Sequence, residues 1–208
     1  MADACTERGD ARATVARLAP LPESASEVQR IAASVGAKNA KLLTGAQATT
    51  AALRDAGLAN AGIVVFATHG LLPQDLLCED EPALALTPTP APDEDGLLKA
   101  SEIATLRLDA RLVVLSACNT AGEDGELGGE SLSGLVRAFF FAGSRNVLAT
   151  HWPIASQPTV ELTTGMMAAA AKNGDWAAAL RDIKLKMLAQ KQTAHPLFWA
   201  AFSLIGAG

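Results

Sequence analysis

Residues 62–70 read GIVVFATHG, an apolar and β-branched run that stops at a histidine followed by a glycine. An unbroken apolar run of this length is typical of a strand that is buried on both faces of a parallel sheet. Residues 112–118 (LVVLSAC) and 146–151 (NVLATH) have the same pattern. Each run therefore ends on a side chain that can take part in chemistry.

The rest of the chain alternates helix-like and strand-like segments. Residues 24–35 predict a helix, because Val28, Ile31 and Val35 recur on one face. The same patterns predict helices at 46–56, 131–142, 157–172 and 176–190, and further strands at 41–43, 83–86 and within 198–205. Strands that alternate with helices indicate one α/β domain, with a mostly parallel central sheet and helices on both faces. We expect residues 1–17 to be a flexible N-terminal extension and residues 18–208 to be the domain.

Composition excludes several classes of function. The chain has 208 residues and a formal net charge of −5, which argues against a protein that binds the phosphate backbone of nucleic acids. No apolar run approaches the roughly 18 residues of a membrane span, and the N-terminus carries no signal-peptide core. The three cysteines fit no metal motif and no disulfide framework, so a reducing cytoplasm is expected.

Motifs for cofactors and other enzymes are missing from the sequence. Residues 129–134 (GESLSG) have Ser133 where the nucleophile elbow G-x-S-x-G requires glycine. There is no G-x-G-x-x-G at the start of a helix, no Walker pattern and no calcium-loop spacing. We therefore expect no cofactor and no metal.

His69 and Cys118 are the candidate catalytic pair. Ligands bind beyond the carboxyl ends of the strands in an open α/β sheet, and both residues follow buried strands directly. The histidine precedes the cysteine by 49 residues, close to the spacing in caspases. A buried cysteine that only fills space is the alternative for Cys118, and His151 is an alternative base. Cys5 and Cys78 follow no strand and are taken as bystanders.

An ordered series of motifs resembles the CHAT domain, a branch of the caspase-like cysteine peptidases that includes relatives of separase. The motifs are VFATHG at 65–70, VVLSACNTAG at 113–122, GESLSGL at 129–135, RAFFFAG at 137–143, Trp152-Pro153, and His195-Pro196 ahead of WAAF at 199–202. The resemblance covers nearly the whole chain and implies a caspase-like fold with a central sheet of about six strands. Members usually begin with a further strand, and residues 1–17 have no strand pattern. The sheet is therefore expected to lack that strand, or the chain to be an excerpt.

The resemblance also implies a cysteine endopeptidase that cleaves a protein or peptide substrate. Carried over by residue, His69 is the general acid and base, Cys118 is the nucleophile, and the backbone N–H groups of Gly70 and Cys118 form the oxyanion hole. The candidates for contacting substrate are Asn119, Thr120, Glu130, His151 and Trp152. Basic-specific relatives carry acidic residues after Trp-Pro, where this chain has Ala155 and Ser156, so no preference for Arg or Lys follows.

Control of the peptidase is expected to come from another protein or domain. CHAT domains often accompany helical TPR repeats, and this sequence contains none, so a TPR-type or other regulatory partner is expected. One alternative is a catalytically silent CHAT-fold module for protein interaction or signalling, and another is an unrelated thiol hydrolase or acyltransferase.

Overall fold

The computed structural model describes residues 11–36, 38, 40–76, 79–91, 94–116, 129–152, 154–171 and 173–206, except the side chains of 74 and 129–133. The helices are α1 (Ala11–Arg17), α2 (Ser24–Val35), α3 (Thr50–Arg54), α4 (Ala100–Thr105), α5 (Gly129–Phe141), α6 (Ser156–Ala170) and α7 (Trp176–Ala189). The strands are β1 (Ile63–Ala67), β2 (Gly70–Leu71), β3 (Ala83–Ala85), β4 (Leu97–Lys99), β5 (Leu112–Ser116), β6 (Asn146–Thr150) and β7 (Phe202–Gly206).

The central sheet has the strand order β1-β5-β6-β7 among the described residues. β1, β5 and β6 run parallel, and β7 is antiparallel to β6. The register aligns Ala67 with Ser116, so β1 and β5 end at the same level of the sheet. The predicted fold class, a mostly parallel α/β sheet flanked by helices, is confirmed; its described part has four strands.

Helices cover both faces of this sheet. On one face, Val113 and Leu115 of β5 pack with Phe139 of α5 and Ile103 of α4. On the other face, the alternate residues Leu112 and Val114 pack with residues of α2, α6 and α7. Side chains alternate between the two faces of a strand, so both must be apolar where both are covered. β5 and β6 accordingly contain only buried residues.

Local signals in the sequence set several helix ends. Thr49 caps α3 by accepting a hydrogen bond from the N–H of Ala52, and Asp175 caps α7 by accepting one from Ala178. α2 ends at Gly36, whose φ of 94° is one that residues with a side chain rarely adopt.

A small second sheet follows β1 directly. It is antiparallel, with the order β2-β3-β4, and its apolar side chains form a separate buried cluster. Ala11 and Val15 of helix α1 pack against that cluster, although the sequence assigns residues 11–17 to a flexible extension.

Four other predictions differ from the structure. Residues 41–43 form no strand, and the helix predicted over 46–56 is reduced to the five residues of α3 with a 3₁₀ turn, Gly45–Gln47, before it. The last strand begins at Phe202, after a 3₁₀ turn at Pro196–Phe198. β1 is the edge strand of the sheet that the described residues form, and its residues alternate between buried and half-buried instead of being buried throughout.

Candidate functional site

The backbone of His69 is fixed where β1 leaves the central sheet and enters the second one. Thr68, directly before it, donates a hydrogen bond from Oγ1 to the carbonyl of Ala85. The carbonyl of His69 accepts a hydrogen bond from the N–H of Ala85, at 2.9 Å. These two contacts hold the histidine against β3 and leave its side chain at the carboxyl end of β1.

The ring of His69 has one engaged and one free nitrogen. Nε2 lies 2.8 Å from the carbonyl oxygen of Ala19, which can only accept, so Nε2 carries the proton of the neutral ring. Nδ1 then holds a lone pair. It is buried and has no hydrogen-bond partner within the described residues. Buried nitrogen atoms are usually paired, so Nδ1 is available to accept a proton from a group outside the described residues.

Cys118 and its neighbours Asn119 and Thr120 lie outside the described residues, and so do Cys5 and Cys78. Glu130 belongs to α5, but its side chain is not described either. The described chain reaches Ser116 at the end of β5, beside Ala67 at the end of β1. The structure thus fixes the point from which the chain continues toward Cys118.

Gly70 points its N–H away from the second sheet. His69 and Ala85 form a hydrogen-bonded pair of the antiparallel ladder, and Gly70 lies opposite Leu84 in the next pair. Hydrogen-bonded and non-hydrogen-bonded pairs alternate, so the Gly70 amide faces the other side of β2. That side has no partner strand among the described residues. An amide with this orientation can donate to a ligand.

His151 and Trp152 follow β6, on the far side of β5 from β1. The exposed ring of His151 places Nε2 2.8 Å from Oγ of Ser203, and Trp152 donates its indole N–H to the carbonyl of Leu197 at 3.2 Å. Two strand spacings, about 10 Å, separate the chain positions of His151 and His69. The side chains of His151 and Trp152 are thus hydrogen-bonded to the C-terminal region, and neither lies next to His69.

Glu27, at this edge of the sheet, was not predicted from the sequence. This residue of α2 is 2% exposed, and its Oε1 accepts hydrogen bonds from the hydroxyls of Ser116 and Thr163, each at 2.6 Å. Burial raises the pKa of Glu27, although the two hydroxyls and the charge of Arg30 act to lower it. One signal in the sequence could have identified it: Glu27 lies on the same apolar face of the helix as Ile31, where a carboxylate is unusual. Glu27 ties the end of β5 to α2 and α6.

The described residues were also searched for a metal site and for a membrane-spanning helix. The described residues contain no group of three or more His, Cys, Asp or Glu side chains that could hold a metal ion. Among them, no helix has the length and apolar character needed to cross a membrane.

Comparison with known proteins points to one family. The sequence model of the CHAT domain matches residues 2–207. The chain is 28% identical over 137 residues to tetratricopeptide repeat protein 28 of Mus musculus and 26% identical over 137 residues to the protein of the same name from Homo sapiens. Each match covers 65% of this chain, but only 6% and 5% of those relatives. The chain therefore corresponds to a small part of the relatives it matches.

Proposed function

The chain belongs to the CHAT domain family, which is related to the caspase-like peptidases, and on that premise we propose that it is a cysteine endopeptidase. His69 would serve as the base and Cys118 as the nucleophile. The observation that carries this proposal is the buried Nδ1 of His69, which has no hydrogen-bond partner among the described residues and lies at the end of the strand beside β5.

The register of the sheet supports a close approach of His69 and Cys118. His69 follows Ala67 by two residues, Cys118 follows Ser116 by two, and Ala67 is aligned with Ser116. Consecutive Cα atoms are 3.8 Å apart, so the Cα of Cys118 lies within about 7.6 Å of that of Ser116. This reach supports a thiol close enough to exchange a proton with His69.

Each step of the reaction has a group to perform it. Nδ1 of His69 takes the proton of the Cys118 thiol, and the thiolate attacks the carbonyl carbon of the scissile amide. The N–H groups of Gly70 and Cys118 stabilise the oxyanion that forms. His69 then gives the proton to the leaving amine, and a thioester remains on Cys118. Water, deprotonated by His69, hydrolyses the thioester and restores the thiol.

The carbonyl of Ala19 has the role of an orienting group. By accepting from Nε2, it keeps the proton of the neutral ring on the nitrogen that faces away from the reaction. It also stabilises the ring once Nδ1 is protonated, because both nitrogens are then donors. Ala19 precedes α2, so the start of the domain contributes to the site through a backbone atom.

Regulation by a TPR-containing polypeptide belongs to the same proposal. Both mammalian relatives carry tetratricopeptide repeats in their names, and this chain matches only a small part of each. A cytoplasmic location is proposed as well, because the catalytic cysteine would have to stay reduced.

Covalent labelling tests the nucleophile. A peptidyl electrophile such as an acyloxymethyl ketone should attach to Cys118, and mass spectrometry of the digested protein should locate the adduct there. Cys5 and Cys78 serve as internal controls for simple thiol reactivity, since both are present in the same chain. Labelling should disappear in Cys118→Ala and become slower in His69→Ala, because the thiol then lacks its base.

Equal labelling of the three cysteines would contradict the assignment of Cys118. Selective labelling of Cys118 without cleavage of any protein, with a TPR partner present, would favour the alternative of a signalling module that keeps the site but not the activity.

A further inference from the structure

Glu27 joins the two parts of the chain that lead to the proposed catalytic pair. Its Oε1 accepts a hydrogen bond from the hydroxyl of Ser116, the last residue of β5, and Cys118 lies two residues further along the chain. Glu27 itself is in the first turn of α2, and the segment before that helix includes Ala19, whose carbonyl oxygen lies 2.8 Å from Nε2 of His69. One buried side chain thus connects the strand that leads to the nucleophile with the segment that orients the base.

The segment before α2 is attached to the helix by hydrogen bonds. The backbone N–H and the hydroxyl of Ser24 both donate to the carbonyl of Leu21, at 3.1 and 2.8 Å. The N–H of Glu27 donates to the carbonyl of Glu23, at 2.9 Å, and closes the first turn. A movement of this turn would therefore be passed on to Ala19, which precedes Leu21 by two residues.

The contact between Glu27 and Ser116 is buried and is held from a third side. The two residues are 2% and 0% exposed, and their oxygen atoms are 2.6 Å apart. Thr163 of α6, also buried, donates to the same Oε1 at 2.6 Å. Hydrogen bonds are stronger in the low-dielectric interior than in water. A side chain shorter by one methylene group could meet both hydroxyls only if the helix or the end of the strand moved.

A carboxyl group at this place is costly for stability. The surrounding side chains are mostly apolar, with Ile31 one turn further along α2, and Leu112 and Val114 on the same face of β5 as Ser116. Burial among such neighbours disfavours the charged form and raises the pKa of Glu27. Ionisable groups with perturbed pKa values are concentrated at functional sites, which favours a role for Glu27 beyond packing.

We propose that Glu27 is a positioning residue, which fixes the end of β5 relative to the first turn of α2 and so sets the approach of Cys118 to His69. This inference rests on the proposed function. The reactivity of Cys118 then depends on the length of the side chain at position 27 and on the Ser116 hydroxyl, and not on the negative charge of Glu27. A misplacement of reacting atoms by about 1 Å can cost about a hundredfold in rate.

The kinetics of inactivation by the acyloxymethyl ketone measure this dependence. Glu27→Asp keeps the carboxylate but shortens its reach, Glu27→Gln keeps the reach but removes the charge, and Ser116→Ala removes the donor. We expect the maximal rate of inactivation to fall by about 10- to 100-fold in Glu27→Asp and Ser116→Ala, with the half-saturating concentration within about threefold of the wild type. Glu27→Gln should leave both constants within about threefold of the wild type.

A double variant and a matched control separate positioning from stability. Glu27→Asp combined with Ser116→Ala should be no slower than the slower single variant, because both changes break the same hydrogen bond. Thr164→Val is the control, since Thr164 of α6 also has a buried hydroxyl but donates it to the carbonyl of Val160. It should lower the Tm without changing the inactivation constants. Every variant is compared at the same concentration of folded protein, verified by thermal unfolding.

Four outcomes would overturn the inference. Wild-type rates of inactivation in Glu27→Asp and Ser116→Ala would show that the reactivity of Cys118 does not depend on this contact, and would leave the proposed function intact. A loss in Glu27→Gln as large as that in Glu27→Asp would make the charge, and not the reach, the property that matters. A change confined to the half-saturating concentration would make Glu27 a determinant of binding. Absence of labelling at Cys118 in the wild type would instead overturn the proposed function, and the positioning role with it.

Discussion

Peptide hydrolysis is expected to be lost in Cys118→Ala and to fall by about 10²–10⁴-fold in kcat/KM in His69→Ala. In the proposed mechanism, alanine at position 118 leaves no nucleophile, whereas alanine at position 69 leaves the thiol but removes the group that takes up and returns its proton. The atom that the proposal makes the proton acceptor is Nδ1 of His69, which has no partner among the described residues. The measurement is the rate of cleavage of a fluorogenic peptide, with each variant at the same concentration of folded protein.

His151→Ala provides the matched control. His151 also follows a parallel strand of the central sheet, and the sequence alone offers it as a second base. Its ring is exposed, bonded to Ser203, and belongs to the strand on the far side of β5. We expect kcat/KM of His151→Ala to stay within about threefold of the wild type. A loss as large as that of His69→Ala would mean that the base has been assigned to the wrong strand.

The sequence predicts the central sheet well because its three parallel strands share one pattern. β1, β5 and β6 are mainly apolar, and the helix between β5 and β6 was predicted close to its observed ends, whereas α4, between β1 and β5, was not predicted. The rule that ligands bind beyond the carboxyl ends of parallel strands directs attention to His69, which the structure has just after β1. Of the second sheet only β3 was predicted, because β2 has two residues and β4 has three, too few for an alternating pattern.

Two parts of the site depend on contacts that no local pattern carries. The group that orients His69 is the backbone carbonyl of Ala19, and a carbonyl is present at every residue, so the sequence cannot single it out. The partners of Glu27 are 89 and 136 residues away along the chain. The position of β1 at the edge of the described part of the sheet was also not predictable from its own sequence, because whether an apolar strand has neighbours on both sides is decided by topology.

Replacing Glu27 by Ala is expected to lower the free energy of unfolding by about 2–4 kcal/mol. The substitution removes the acceptor of the buried Ser116 hydroxyl, whereas Thr163 still donates to the carbonyl of Thr159 at 2.9 Å. It also leaves a cavity between α2, β5 and α6. Glu27→Gln is the matched variant, because its amide oxygen can accept both hydroxyls at nearly the same volume. Urea unfolding of the three proteins measures the difference, and a loss in Glu27→Ala no larger than that in Glu27→Gln would show that the buried acceptor is not needed.

The pH dependence separates the charge of Glu27 from its shape. Burial raises its pKa in the folded protein above the ordinary value of 4.5, so the folded state holds the proton more tightly than the unfolded state does. The stability that this supplies is fully present below pH 4.5 and is lost as the pH rises through the raised pKa. Glu27→Gln has no proton to lose at this position, so its stability relative to the wild type should increase over that window and then level off. A relative stability of the Gln variant that fell with rising pH would instead mean that the folded state stabilises the ionised carboxylate, with the hydroxyls of Ser116 and Thr163 outweighing its burial.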